Sequence, residues 1–183
     1  MEFGSKLVFS DLSAVFNPGI SVVLGSNGSG KTTLLRIISG LQKQTEGELE
    51  FVGFSETFET DEMRDIFLCS PDISLYHELT VKENIKFVSE LKKAFPDVSG
   101  WGVEDHLDKK YGELSSGYKQ RIKLIVSFLI NPEILLLDEP EQHMDENGIL
   151  KLTDEIEKRN RNDLVTIVAT NHLWRNWDVV VKF

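Results

Sequence analysis

The residues best suited to chemistry are Gly25-Ser26-Asn27-Gly28-Ser29-Gly30-Lys31-Thr32, which fit the spacing G-x-x-x-x-G-K-[ST] of a phosphate-binding loop. Glycines let successive backbone N–H groups turn inward around phosphate oxygens. A helix opening directly after the loop aims the positive end of its dipole at the same anion. Lys31 then reaches the β- and γ-phosphates, and the Thr32 hydroxyl can ligate Mg²⁺. Ser26, Asn27, Gly28, Ser29 and Gly30, with Thr33 just beyond, complete the expected nucleotide contacts. A second group, Asp138-Glu139-Pro140, follows the apolar run Ile134-Leu135-Leu136-Leu137. A strand of that kind carries its acids to the carboxyl edge of an open α/β sheet, where ligands bind. Asp138 is placed to hold Mg²⁺, mostly through water, and Glu139 to polarise an attacking water.

These groups need a scaffold, and the pattern around them supplies one. Ile20 to Leu24 reads as a buried strand, bounded by Asn17-Pro18-Gly19 and by the glycine loop. Thr32 to Leu41 has helical spacing. Glu48 to Val52 and Ile66 to Cys69 read as strands. Val81 to Phe95 is an amphipathic helix stopped by Pro96. Ser115 to Ile130 is a helix whose second half is apolar enough to be buried. Ile149 to Arg161 reads as a charged amphipathic helix, and Leu164 to Ala169 and Val179 to Phe183 as strands. Alternation of strands and helices implies an α/β fold with a mainly parallel sheet flanked by helices. Residues 72–114 lack strand signals and read as a small helical insertion into it.

Composition narrows the class. A chain of 183 residues suits one compact domain. The formal net charge of −10 disfavours a grip on nucleic acid, since the basic residues form only pairs such as Lys92-Lys93 and Lys109-Lys110. One cysteine, Cys69, excludes a disulfide framework within the chain and fits a reducing cytoplasm. No apolar run is long enough to span a membrane. Work at a membrane would therefore go through a partner.

Leu114-Ser115-Ser116-Gly117-Tyr118 opens the second long helix, one buried helix upstream of the Asp138 strand. Taken alone it is a serine helix cap. In that position it resembles the LSGGQ signature of the ABC (ATP-binding cassette) ATPase family, and the resemblance covers nearly the whole chain. Ser115 and Gly117 match the signature, while Ser116 and Tyr118 stand for its first glycine and its glutamine. His172, after a strand in Ala169-Thr170-Asn171-His172, matches the family's switch histidine, which contacts the γ-phosphate. Asp145 matches the D-loop aspartate. Leu79-Thr80-Val81-Lys82-Glu83-Asn84 is similar to the L-T-V-x-E-N stretch that opens the family's helical subdomain. Phe3, followed by Gly4, stands where an aromatic residue stacks on adenine. The Q-loop glutamine is missing from Cys69-Ser70-Pro71-Asp72-Ile73-Ser74. Asp72 is the expected substitute as metal ligand, with Pro71 as the other residue at that position.

The resemblance implies one ABC ATPase domain over 1–183, with a core of 1–71 and 115–183 and a helical subdomain at 72–114. It implies ATP and Mg²⁺ as cofactors, Glu139 and His172 as catalytic residues, and Ser115, Ser116, Gly117 and Tyr118 as contacts to the ATP of an opposite domain. It implies a homodimer or heterodimer of such domains, and a transmembrane permease that keeps the protein on the cytoplasmic face of a membrane. Leu75, Tyr76 and Leu79 are the expected docking residues. Two other readings stay open: a soluble cassette acting in translation, repair or Fe–S assembly, and a catalytically weak regulatory cassette.

Overall fold

The structure is a computed structural model that describes residues 2–3, 6–51, 66–93, 97–160 and 164–183. A short antiparallel pair, β1 (Glu2–Phe3) and β2 (Lys6–Leu7), precedes the main sheet. That sheet has five strands: β3 (Gly19–Leu24), β4 (Ile66–Cys69), β5 (Ile134–Asp138), β6 (Val165–Thr170) and β7 (Asp178–Lys182). Their spatial order is β4-β5-β6-β3-β7, and every pairing is parallel. The helices are α1 (Lys31–Ile38), α2 (Val81–Lys92), α3 (Ser116–Ile130) and α4 (Glu146–Asn160).

A sheet covered on both faces needs strands that are apolar throughout, and β5 shows why the run Ile134 to Leu137 reads that way. Leu135 and Leu137 face one apolar cluster with Ile122, Leu124 and Ile125 of α3 and Leu152 and Ile156 of α4. Ile134 and Leu136 face the other, with Leu34, Leu35 and Ile38 of α1. Each such side chain, fully buried, contributes roughly 1.5–3 kcal/mol. Buried Arg159 on α4 ties this layer to the sheet, donating to Asn131 Oδ1 (2.7 Å), the Pro132 carbonyl (2.7 Å) and Thr166 Oγ1 (3.2 Å).

Most expected elements appear, with shifted ends. The first helix stops at Ile38, where Gly40 takes a positive φ. Residues 48–51 are not a strand, so that expectation is corrected over its described part; Val52 lies outside the described residues. The stretch Glu48 to Phe51 carries glutamates at alternate positions and is not among the strands of either described sheet. Phe95, Pro96 and Arg161 also lie outside, so what stops α2 is seen at Lys93, which adopts a left-handed backbone.

Between β4 and α3 the chain holds α2, two short 3₁₀ turns (Glu104–His106 and Tyr111–Glu113) and, among the described residues, no strand. The L-T-V-x-E-N stretch has a physical account there. Thr80 caps α2, accepting from the Glu83 N–H (3.1 Å), while Glu83 accepts from the Thr80 N–H (2.7 Å). Val81 is core. Asn84 accepts from the Tyr76 N–H (3.0 Å) and donates to the Tyr76 and Thr80 carbonyls (3.0 Å each), holding the loop that enters the helix.

Candidate functional site

Because the strands are parallel and in register, three of their carboxyl ends lie side by side. Asp138 at the end of β5 pairs with Ala169 of β6, and Thr170 pairs with Leu24 at the end of β3. The glycine loop, the two acids and the Thr170-Asn171-His172 segment thus meet at one edge of the sheet. An open cavity of about 530 Å³ lies there, lined by Asn27, Gly28, Gly30, Lys31, Thr32 and Thr33 of the loop and helix, by Asp138 and Glu139, and by Val8 and Pro71.

Gly30 ends the loop with φ 113°, and a Cβ there would come 2.9 Å from Phe9 and Val8. It precedes α1, whose first turn carries neither a capping side chain nor an acid, so its N–H groups are open to an anion. Lys31 is 4% exposed. Its Nζ donates to the carbonyls of Gly25 (2.8 Å) and Ser26 (3.1 Å) and lies 3.1 Å from Glu139 Oε1. The ammonium is thereby held across the mouth of the loop, already paired with the carboxylate expected to act on water. The Ser29 hydroxyl is buried inside the loop without a partner.

Asp138 is 2% exposed. Its Oδ2 accepts from Thr32 Oγ1 (2.7 Å), and its Oδ1 is buried with no partner. Burial pushes this carboxyl above the usual carboxylate range, and the Thr32 hydrogen bond acts against that. A buried carboxylate with an orphaned oxygen beside a hydroxyl is a donor set for a hard cation, so these residues fit Mg²⁺. Glu139 has a left-handed backbone (φ 46°), and its N–H donates to the Ala169 carbonyl (2.8 Å).

The signature residues lie away from the cavity, on the surface. Ser115 and Ser116 are exposed. Ser115 precedes α3 as its N-cap residue, yet its side chain makes no capping hydrogen bond, so the cap reading is corrected and the hydroxyl is left unused. Gly117 packs against the loop after β5, where a Cβ would come 2.6 Å from the His143 carbonyl. Tyr118 stacks on His106 (centroids 3.9 Å apart), with the Arg121 guanidinium over the ring (5.7 Å). Arg121 also donates to the Trp101 carbonyl (2.6 Å) and pairs with Asp145 (2.7 Å). Asp145 in turn caps α4 through the Gly148 N–H (2.8 Å). Of the expected interface residues, Tyr118 and Asp145 are therefore braced by one side chain, Arg121, that the spacing alone did not single out.

Two expectations fare differently. Pro71, not Asp72, reaches the cavity wall; the Asp72 carboxylate is paired with Arg36 of α1. The structure does not bring Asp72 to Asp138 and Thr32. Phe3 lies in β1, and the expectation for its ring falls outside the described side chains. His172 is 62% exposed beside the cavity. Its Nδ1 is 2.6 Å from Asn171 Oδ1, and Asn171 Nδ2 reaches Asn27 of the loop (3.4 Å). Glu141, which no sequence pattern marked, is buried beneath His172; the acid run through 138, 139 and 141 was its only trace.

Comparison with known proteins gives the chain relatives. The family model described as ABC transporter matches residues 9–142. The xylose/arabinose import ATP-binding protein XacJ of Haloferax volcanii is 30% identical over 182 residues, covering 93% of this chain and 48% of that protein. The uncharacterised ABC transporter ATP-binding protein YybJ of Bacillus subtilis is 31% identical over 172 residues, covering 90% of this chain and 79% of that one. This chain thus spans about half of the first relative and most of the second. A solved Pyrococcus furiosus chain described as an ABC transporter ATP-binding protein superposes with a TM-score of 0.75 at 28% identity, covering 92% of this chain and 86% of its own. The match over residues 9–142 and relatives at 30–31% identity over nearly the whole chain show that it belongs to the ABC transporter family, among its ATP-binding members.

Proposed function

We propose that the chain binds and hydrolyses Mg-ATP as the motor subunit of a membrane transporter, pairing head to tail around two ATP molecules. The observation that carries this reading is the convergence at one cavity of the buried Lys31 ammonium, the Thr32 hydroxyl and Asp138 with its orphaned oxygen. Lys31 and the open N–H groups at the start of α1 hold the phosphates. Thr32 and Asp138 hold Mg²⁺, which when bound neutralises phosphate charge and fixes the phosphates for in-line attack. Glu139 orients a water and accepts its proton, and His172 contacts the γ-phosphate. Pro71, which cannot donate and has no side-chain oxygen, leaves the Q-loop position without a ligand for the cation.

The exposed, uncapped Ser115 hydroxyl, with Ser116, Gly117 and Tyr118 around it, is the contact offered to the ATP of the opposite domain, and Asp145 lies along that interface. Segment 72–114 is the helical subdomain. Of the expected docking residues only Tyr76 is exposed (60%), Leu75 packing against the core and Leu79 being half-buried; with Phe87, its ring 5.9 Å from that of Tyr76, and Leu91 it offers an apolar face for a permease. No helix among the described residues is long and apolar enough to cross a membrane, which suits attachment at the cytoplasmic face through that partner.

Glu139→Gln tests the reading. It keeps the shape of the side chain but removes the charge that activates water, so hydrolysis should fall by about 10²-fold or more. ATP then persists, and a nucleotide shared between subunits drives association by mass action. The variant should run as a monomer without nucleotide and as a dimer with ATP but not ADP, measured by size-exclusion chromatography with light scattering. Hydrolysis at the wild-type rate would remove Glu139 from the reaction.

A further inference from the structure

Glu141 follows the Asp138-Glu139-Pro140 corner and is 6% exposed. Its Oε1 accepts from Thr170 Oγ1 (2.5 Å), and its Oε2 is buried with no partner. Burying a carboxylate with an oxygen unsatisfied is costly, and the polar groups that meet it show what it faces. Thr170 accepts the His172 N–H (3.3 Å), and His172 Nδ1 lies 3.8 Å from the same Oε1. Asn171 Oδ1, at 2.6 Å, is the direct hydrogen-bond partner of that nitrogen, and Asn171 Nδ2 reaches back to Asn27.

Both oxygens near Nδ1, one of a buried carboxylate and one of an amide, are acceptors. A proton on Nδ1 is stabilised by both, and a lone pair there would be repelled by both. Fixing that proton leaves Nε2, on the far and exposed edge of the ring, as the atom presented outward. We propose that Glu141 and Asn171 are positioning residues for His172: Asn171 holds the Nδ1–H by a direct hydrogen bond linked to the phosphate loop, and the buried Glu141 carboxylate, anchored by Thr170, biases the ring to that tautomer by its charge. This rests on His172 acting on the γ-phosphate. Of the other two carboxylates at this edge, Glu139 is paired with Lys31 and Asp138 is bonded to Thr32, whereas Glu141 lies beside the His172 ring.

The experiment uses the full chain labelled with ¹⁵N at histidine, comparing wild type, Glu141→Gln, Glu141→Asp and Asn171→Ala. Long-range ¹H–¹⁵N spectra read the His172 tautomer, assigned by its loss in His172→Ala, alongside Mg-ATP affinity and turnover. Wild type should be mainly Nδ1–H. Glu141→Gln should shift the ring toward a mixture and lower kcat by about tenfold or more, as loss of a group that orients a catalytic imidazole does, with Mg-ATP affinity unchanged. Glu141→Asp should recover part of both effects. A wild-type ring that is mainly Nε2–H would overturn the proposal, as would a Glu141→Gln variant with tautomer and kcat both unchanged. The spectra need no turnover, so a chain that failed to hydrolyse ATP would refute the proposed function and still leave the role of Glu141 decided.

Discussion

Lys31 shows how much of this site is assembled before any ligand arrives. Its ammonium is buried, and two loop carbonyls and the Glu139 carboxylate fix its position. All three ammonium donors are thus engaged, so a phosphate takes the place of one of these partners while the buried stem stays where it is. The corresponding prediction is that Lys31→Ala loses most Mg-ATP binding. A charge-assisted hydrogen bond of this kind is worth roughly 1.5–3 kcal/mol, or about ten- to a hundredfold in affinity. Isothermal titration with Mg-ATP checks it, and unchanged affinity would refute the phosphate-loop assignment. Thr32, Asp138 and Glu139 were all legible from their types and spacing, because a phosphate loop and an acid-tipped strand each impose local rules on sequence. Glu141 and Asn171 were not. Their significance lies in what stands over them in space, and His172 is separated from Glu141 by a helix and a strand.

At the scale of elements, the buried runs of β3, β5 and β6 and the periodicity of α2, α3 and α4 were readable, since burial on both faces or one leaves a pattern in the chain. What the pattern did not carry was pairing. Residues 48–51 have a strand-like alternation, yet they belong to neither described sheet. The reverse holds for Asp72: its neighbourhood was legible, but the cation that claims it, Arg36, comes from a different element. The entry to α2 offers a clean test of element-level cohesion. Asn84 is buried and bridges the helix to the loop from Tyr76 to Thr80. Asn84→Ala leaves the Tyr76 N–H and carbonyl without their partner, while the Thr80 carbonyl keeps the backbone N–H of residue 84, so stability should drop by roughly 1–3 kcal/mol. Denaturant unfolding measures that, and Mg-ATP affinity should stay as in wild type, because the loop lies outside the cavity.

For the molecule as a whole, the interior acids set a pH dependence. Asp138 and Glu141 both have pKa values raised in the fold, each chiefly by burial. A carboxyl whose folded pKa exceeds its unfolded one holds more protons when folded, so stability falls as pH rises through the window between the two values. Exposed Glu83, Asp97 and Asp145 are shifted down by hydrogen bonds and pull the opposite way, but they are open to solvent screening. The net charge of −10 adds self-repulsion at higher pH. The nucleotide-free chain is thus expected to melt higher at the acid end of that window than above it. Asp138→Asn should flatten that slope in thermal melts recorded across the range. An equal slope in the variant would show that Asp138 does not contribute to it.

The backbone at Glu139 has a bearing on how such a sequence drifts. Its φ of 46° places an L-residue where only glycine is at ease, at a cost of about 1–2 kcal/mol. One base change in either glutamate codon gives glycine, so a variant freed of that strain is always one step away. Glu139→Gly relieves that strain but leaves the buried Lys31 ammonium without its ion-pair partner, at a cost of about 3–5 kcal/mol. The nucleotide-free variant is therefore expected to melt lower than wild type, while its ATP turnover collapses. Selection for folding and demand for what the carboxylate does would thus both keep glutamate at this strained position, so the acid and the phosphate-loop lysine would be expected to be lost together rather than singly.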